Sequence, residues 1–148
     1  MAKTIAIVDY GAGNIASIQN ALQYLGKDCI LARDAGQLRR ASAIVFPGQG
    51  SFGQAMQYLE KAGTKEVLVS EILAGKPYLG ICLGLQVLFE ASEESPGTKG
   101  LGIFGGENKK FRVERKVPLI GWAKVEKANA SKFLAGIENE EYFYFVNS

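Results

Sequence analysis

The stretch that decides the fold is Pro77-Tyr78-Leu79-Gly80-Ile81-Cys82-Leu83-Gly84-Leu85-Gln86. Residues 77–81 form an apolar run that predicts a strand, and residues 83–91 predict a helix. Gly80 and Gly84 flank Cys82 at positions i−2 and i+2, which is the spacing of a nucleophile elbow, a turn too tight for a Cβ at either position. The start of the helix would direct N–H groups and a positive dipole end at the sulfur and so favour its thiolate. Although most free cysteines are buried, we predict that Cys82 is an accessible nucleophile.

Short apolar runs alternate with helical patterns over the first two thirds of the chain. Strands are predicted at residues 3–9, 28–32, 43–46 and 77–81, and the helices between them at residues 15–25, 35–41, 53–61 and 65–74. This alternation predicts an α/β fold of the flavodoxin-like type, an open, mostly parallel twisted sheet with helices on both faces. Chemistry in such sheets lies at the carboxyl ends of the strands. The turns at 9–14 and 47–52 should therefore converge on Cys82.

The pattern changes after residue 90. Residues 92–106 are rich in turn formers, and residues 109–113, 121–126 and 141–146 predict strands with little helix between them. We expect an antiparallel extension of a single domain that covers residues 1–148. A basic cluster within it is either a solvated strand face or a docking surface for a partner; it consists of Lys109, Lys110, Arg112, Arg115 and Lys116.

Composition excludes several classes of function. Hydrophobic residues make up 47% and charged residues 22% of the chain, and the net charge of +2 is too small to indicate nucleic-acid binding. No apolar stretch approaches the ~20 residues of a membrane span. Two cysteines without a secretory signal favour the cytoplasm, with Cys29 as a small buried hydrophobe. The chain contains no histidine, so it offers no histidine ligand or base, and we predict neither a metal nor a cofactor.

Two glycine-rich turns follow predicted strands. Gly11-Ala12-Gly13-Asn14 has Ala16 where a dinucleotide fingerprint needs its third glycine, so a plain tight turn is favoured over nucleotide binding. Pro47-Gly48-Gln49-Gly50 has two glycines around one residue, which permits a peptide flip that turns N–H groups toward a developing oxyanion. Because the predicted elbow lies beside it, we interpret this second turn as an oxyanion loop.

Together these motifs resemble the class I (triad-type) glutamine amidotransferases. Within that class the chain is most similar to the glutaminase subunit of imidazole glycerol phosphate synthase, an enzyme of histidine biosynthesis. The resemblance covers nearly the whole chain. The matching segments are residues 9–14, 47–52, 80–86 and 89–94, Gly121-Trp122, and Tyr142-Phe143-Tyr144-Phe145-Val146.

The resemblance implies a concrete function. Cys82 would attack the side-chain amide of glutamine to form a γ-glutamyl thioester, and the released ammonia would pass to a cyclase partner of (β/α)8-barrel type in a heterodimer. It also implies three further sets of residues: Leu83, Gln49 and Gly50 as oxyanion donors; Gly48, Gly84 and Gln86 around the substrate; and Asn14 and Trp122 at the partner interface.

The chain also departs from the family pattern. The family's catalytic His and Glu stand in a His-Pro-Glu segment about fifty residues beyond Ser148, and two histidines and an asparagine of the family are replaced in residues 118–123 and 146–148. We therefore expect a chain without the family's last segments, with little or no activity alone and an exposed sheet edge or apolar patch near Phe143 and Phe145. An alternative is a non-catalytic scaffold that keeps only the fold and partner docking. A third possibility, another cysteine hydrolase with a flavodoxin-like sheet, fits the oxyanion and Gly-Trp motifs less well.

Overall fold

A computed structural model describes residues 3–114, 116–129 and 131–148 of the chain. Two compact units are distinguished by backbone packing, Met1–Lys109 and Lys110–Ser148. The first unit contains the predicted elbow and both glycine-rich turns. The second contains the aromatic segment 142–146.

The first unit is built on a four-stranded parallel sheet. Its strands are β1 (Ile5–Val8), β2 (Cys29–Ala32), β3 (Ala43–Phe46) and β4 (Tyr78–Gly80), in the order β2-β1-β3-β4. This confirms the predicted parallel α/β fold. The strand order reverses between β1 and β3, and the crevice outside the carboxyl ends at such a switch point is where open α/β sheets bind ligands. Both glycine-rich turns leave the sheet at this point.

Helices cover both faces of this sheet. They are α1 (Ile15–Tyr24), α2 (Ala35–Arg40), α3 (Phe52–Lys61), α4 (Lys65–Leu73) and α5 (Leu83–Gln86). Since α2 and α3 both pack against α4, these three share a face, and right-handed crossovers place α1 on the other. Side chains cap three of the helices: Asn14 caps α1, Asp34 forms a capping box with Gln37 at α2, and Ser51 caps α3.

The core of the first unit lies between the sheet and these helices. β1 is a central strand, and Ala6 to Val8 on it are buried, as a continuous apolar run between two covered faces requires. The largest buried side chains of the core include Phe46, Phe52, Ile44, Leu59 and Leu68. None of the described helices is long and apolar enough to cross a membrane.

Two sequence predictions are wrong in the segment after the elbow. The helix predicted for residues 83–91 ends at Gln86, and a strand, β5 (Phe89–Ser92), follows it. β5 pairs in parallel with β6 (Phe104–Asn108), so the strand predicted at 109–113 lies earlier in the chain. The Asn108 amide links these elements, because Nδ2 donates to Gln86 O at 2.9 Å and to Ala91 O at 3.0 Å. It caps the end of α5 and joins β6 to β5.

The second unit is a two-stranded antiparallel sheet. β7 (Leu119–Val125) pairs with β8 (Glu141–Asn147), which confirms the predicted antiparallel C-terminal segment. Trp122 stands opposite Tyr144, with ring centroids 5.6 Å apart. Phe143 is exposed, as predicted, and Phe145 is half-buried. Lys109, Lys110, Arg112 and Lys116 of the basic cluster are exposed and lie outside the strands, and Arg115 lies outside the described residues.

Candidate active site

Cys82 lies in the turn between β4 and α5 with an unusual backbone conformation. Its φ of 53° and ψ of −110° are sparsely populated for a residue with a side chain. A strained residue between a strand and a helix is the geometry of a nucleophile elbow. The thiol is exposed, which confirms the predicted accessibility, whereas Cys29 on β2 is half-buried rather than fully buried.

The two glycines around Cys82 are needed for different contacts. A Cβ on Gly80 would lie 2.4 Å from Gly84 O, so Gly80 allows the chain to fold back on itself across the elbow. A Cβ on Gly84 would lie 2.2 Å from Phe46 O, so Gly84 allows α5 to pack directly against β3. Real Cβ atoms do not approach backbone atoms this closely. Both positions therefore exclude a side chain, as the spacing in the sequence predicts.

The loop after β3 lies directly against the elbow. A Cβ on Gly48 would lie 2.0 Å from Ile81 O and 2.4 Å from Leu83 N. Within the described residues, the N–H groups of Leu83 and Gly50 have no hydrogen-bond acceptor. Leu83 follows the exposed Cys82 directly, and an unpaired N–H beside a thiol is what an oxyanion site requires. The role of Gly50 as a donor stays a prediction.

Gln49, the third predicted oxyanion donor, is engaged elsewhere. Its N–H donates to Tyr10 Oη at 2.9 Å, and the Tyr10 hydroxyl donates to Gln49 O at 2.6 Å. Sequence reasoning missed Tyr10. The available signal was its position in the first turn after β1, the strand that pairs with β3, because the carboxyl ends of neighbouring parallel strands meet.

α5 is held in place by two side chains outside the elbow. The Tyr78 hydroxyl on β4 donates to Gly84 O at 2.6 Å. Burial raises the pKa of Tyr78 well above its usual value, so this donor stays protonated. The Asn108 amide holds Gln86 O, and the Gln86 side chain is half-buried.

An ion pair fixes the first glycine-rich turn. Asp9 Oδ2 contacts Arg33 Nε at 2.6 Å, and Asp9 Oδ1 accepts the N–H of Gly11 at 3.1 Å. Burial works to raise the pKa of Asp9, but the hydrogen bonds from Arg33 and Gly11 and the Arg33 charge outweigh it and lower that pKa. Asp9 is thus an ionised carboxylate that anchors the turn. Val8 and Ala32 are partners in the sheet, which explains why the residues after them meet.

A cleft of about 280 Å³ opens between the turns after β1 and β3. It lies at the switch point of the sheet, with Tyr10 in its wall. Its lining includes Tyr10, Gly11, Gly50, Ser51, Gln54 and Tyr58.

The two predicted interface residues lie on the surface. Asn14 is exposed and accepts the N–H of Ser17 at 3.3 Å as the N-cap of α1. Trp122 on β7 is 69% exposed. Their role at an interface stays a prediction.

Comparison with known proteins decides the family. The family model for Glutamine amidotransferase class-I matches residues 6–147. The chain belongs to the class I glutamine amidotransferase family. The exposed Cys82, its two glycines and the loop at Gly48 are therefore features of a class I amidotransferase domain.

Relatives within this amidotransferase family share one description. The chain is 48% identical over 144 residues to the imidazole glycerol phosphate synthase subunit HisH of Methanothermobacter thermautotrophicus, covering 97% of this chain and 71% of that relative. It is 42% identical to the subunit of the same name from Bacillus cereus, covering 97% of this chain and 69% of that relative. A solved structure described as a glutamine amidotransferase has a TM-score of 0.74 at 17% identity, with 96% of this chain and 70% of that chain covered. This last likeness shows the amidotransferase fold.

Proposed function

We propose that this class I amidotransferase is the glutaminase subunit of an imidazole glycerol phosphate synthase and serves histidine biosynthesis. The observation that carries the proposal is the exposed Cys82, held at φ 53° beside the unpaired N–H of Leu83. The sequence identity of 48% and 42% to two subunits of that synthase supports the assignment to this type of amidotransferase.

The proposed reaction is acyl transfer from glutamine to Cys82. The thiolate attacks the side-chain amide carbon, and the carbonyl π electrons move onto oxygen. The N–H groups of Leu83 and Gly50 stabilise this oxyanion, and Gln49 joins them when its N–H is free. Collapse of the intermediate breaks the C–N bond and, with one proton, releases ammonia. Water then cleaves the γ-glutamyl thioester to give glutamate and the free thiol.

The substrate lies against the backbone of the elbow and of the oxyanion loop in this proposal. Gly48 and Gly84 lie beside the substrate glutamine in this proposal, because the close packing that they permit holds the oxyanion loop and α5 against the elbow, and Gln86 contributes a polar side chain from α5. Uncharged groups of this kind suit an amide substrate, since an amide both donates and accepts hydrogen bonds.

The base that deprotonates Cys82 comes, in our proposal, from outside these 148 residues. The sequence contains no histidine, and general-base catalysis by a positioned side chain contributes about 10²–10⁴ to a rate. We therefore expect this chain to hydrolyse glutamine very slowly or not at all by itself.

We propose that the two compact units form a single amidotransferase domain in the cytoplasm. Its partner is a cyclase subunit of (β/α)8-barrel type, which receives the ammonia in a heterodimer. Asn14 and Trp122 would contact that partner. Their exposure supports this assignment.

Glutamate release tests the proposal in three mixtures: the chain alone, the chain with added imidazole as an external base, and the chain with a cyclase subunit of a relative. We expect little release from the chain alone and an increase with imidazole that the Cys82→Ala variant lacks. Release at ordinary enzymatic rates from the chain alone, abolished in Cys82→Ala, would contradict the need for an outside base.

The alternative is a non-catalytic scaffold, which the absence of histidine from the sequence favours. It predicts that no mixture gives Cys82-dependent glutamate while the chain still binds the cyclase subunit. The same set of assays therefore separates the two functions.

A further inference from the structure

The Tyr10 hydroxyl binds both polar groups of one residue in the oxyanion loop. It accepts the N–H of Gln49 at 2.9 Å and donates to the C=O of the same residue at 2.6 Å. Tyr10 is 5% exposed, and its ring packs against Phe46 with centroids 5.2 Å apart. Because packing fixes the ring, the hydroxyl is held at the loop, and Gln49 can leave it only by breaking both bonds.

Gln49 is the part of the loop that has freedom to rotate. Gly48 before it is held against the elbow, where even a Cβ would overlap Ile81 O. Gly50 after it has φ +125° and only ordinary contacts, with its nearest neighbour 3.7 Å from an added Cβ. The Gln49 N–H lies in the Gly48–Gln49 peptide, whose rotation changes Gly48 ψ and Gln49 φ; the Cα of Gly48 can stay against the elbow, and a glycine at this position tolerates the new ψ. The Gln49 C=O lies in the next peptide, whose rotation Gly50 permits.

We propose that Tyr10 is a positioning residue that withholds the Gln49 N–H from the reacting carbonyl and thereby sets how often the loop offers this donor to an oxyanion at Cys82. The proposal rests on the proposed glutaminase function and adds a restraint on the same site. While Tyr10 is bonded to Gln49, the oxyanion has the N–H groups of Leu83 and Gly50. Release of Gln49 adds a third donor.

The restraint persists at neutral pH because Tyr10 keeps its proton. Burial raises the pKa of Tyr10, the hydrogen bond with Gln49 opposes this, and the negative charge of a Cys82 thiolate raises it further. The hydroxyl therefore still donates to Gln49 O when the thiol is ionised. Ionisation of Cys82 strengthens the retention of the Tyr10 proton and does not release the loop.

The Tyr10→Phe variant tests this directly, since it removes both hydrogen bonds and keeps the ring packing. Two reactions at Cys82 are measured by peptide mass spectrometry. Acylation by a p-nitrophenyl ester passes through a tetrahedral oxyanion, whereas alkylation by iodoacetamide develops none. Both depend on the same thiolate fraction, so the ratio of their rates isolates oxyanion stabilisation.

We expect Tyr10→Phe to raise the rate of Cys82 acylation by about tenfold and to leave the rate of alkylation unchanged. The expected factor is below the rate factor of about 10²–10³ that one fully engaged oxyanion donor contributes. Tyr58→Phe is the matched control: Tyr58 lines the same cleft, and its hydroxyl has no hydrogen-bond partner among the described residues. Both rates should be unchanged in the control. An unchanged or slower acylation in Tyr10→Phe, or an equal rise in both reactions, would overturn the proposal.

Hydrogen exchange of the Gln49 amide gives a second readout in the folded protein. The amide should be protected in the wild type and exchange faster in Tyr10→Phe, and unchanged exchange would also overturn the proposal. If Cys82 is alkylated but not acylated in either protein, the glutaminase function fails. In that case the exchange of Gln49 alone decides whether Tyr10 holds the loop.

Discussion

Gly84 shows how one missing Cβ determines the position of Cys82. A methyl group there would lie 2.2 Å from Phe46 O and would push α5 away from β3. We expect Gly84→Ala to lower the free energy of unfolding by about 1–3 kcal/mol, as overpacking does. Gly105→Ala is the control, because an added Cβ at Gly105 has no neighbour within 4 Å. Equal urea midpoints for the two variants would contradict the close approach of α5 to β3.

Asp9 predicts an acid-dependent loss of stability. Its folded pKa lies below the unfolded value of about 3.9. The ionised carboxylate therefore stabilises the fold above that value, and this stabilisation is lost as the pH falls through the folded pKa. Asp9→Asn should lower the free energy of unfolding by about 1–3 kcal/mol at neutral pH. Below about pH 4 it should make that free energy depend less steeply on pH. Urea unfolding over this pH range measures both effects.

Asp28→Asn is the matched control for Asp9, since Asp28 is exposed. It should change the free energy of unfolding by less than about 0.5 kcal/mol. If Asp9→Asn and the wild type lose stability in parallel as the solution is acidified, the ion pair with Arg33 does not stabilise the fold.

The sequence was sufficient to predict some site residues and insufficient for others. The elbow was predictable from Gly80, Cys82 and Gly84, because their spacing is local and both flanking positions exclude a side chain. Tyr10 with Gln49 and Asp9 with Arg33 are pairs that only the order and register of the strands bring together. The position of Tyr10 in the turn after β1 was a signal that it lies near the site, but without an observed register its partner, Gln49, could not be predicted.

At the scale of elements, β4 and α5 are joined by the Tyr78 hydroxyl. Since burial raises the folded pKa of Tyr78 above the unfolded value of about 10, its stabilisation is complete below that pH and is lost as the pH rises beyond it. Tyr78→Phe should cost about 1–3 kcal/mol at neutral pH, because Gly84 O loses its donor. It should also reduce the loss of stability above about pH 10.

Thermal and urea unfolding at neutral and alkaline pH test this prediction. Tyr24→Phe serves as the control because Tyr24 is 91% exposed and should show the wild-type dependence. Tyr10, whose pKa burial also raises, remains in Tyr78→Phe and in Tyr24→Phe, so some loss of stability at alkaline pH should remain in both variants. An alkaline slope in Tyr78→Phe as steep as in the wild type would argue against a buried hydroxyl at this junction.

Element boundaries after the elbow were not predictable from the chain. The apolar residues from Leu83 to residue 91 fit a helical pattern, yet α5 ends at Gln86, whose C=O accepts a hydrogen bond from the distant Asn108. β6 was missed because Gly105 and Gly106 disfavour a strand by composition. Its pairing with β5 overrides that local preference.

At the scale of the whole molecule, the strand order β2-β1-β3-β4 brings the segments of the candidate active site together. The turns after β1 and β3 lie at the switch point. β4 pairs with β3, so Cys82, which follows β4, lies at the same edge of the sheet. This arrangement was predictable, because alternating strands and helices leave few topologies and right-handed crossovers fix the faces. The aromatic residues of β7 and β8 form a separate compact unit.

The most direct test of the central claim is covalent labelling by a chloroketone analogue of glutamine. This alkylation needs only the Cys82 thiolate, because chloride leaves without being protonated. Peptide mass spectrometry then compares Cys82 and Cys29 with and without excess glutamine. We predict that Cys82 is labelled, that glutamine protects it, and that Cys29, half-buried on β2, reacts much more slowly. Equal labelling of both cysteines, or labelling of Cys82 that glutamine does not slow, would contradict the assignment of Cys82 as a glutamine-directed nucleophile.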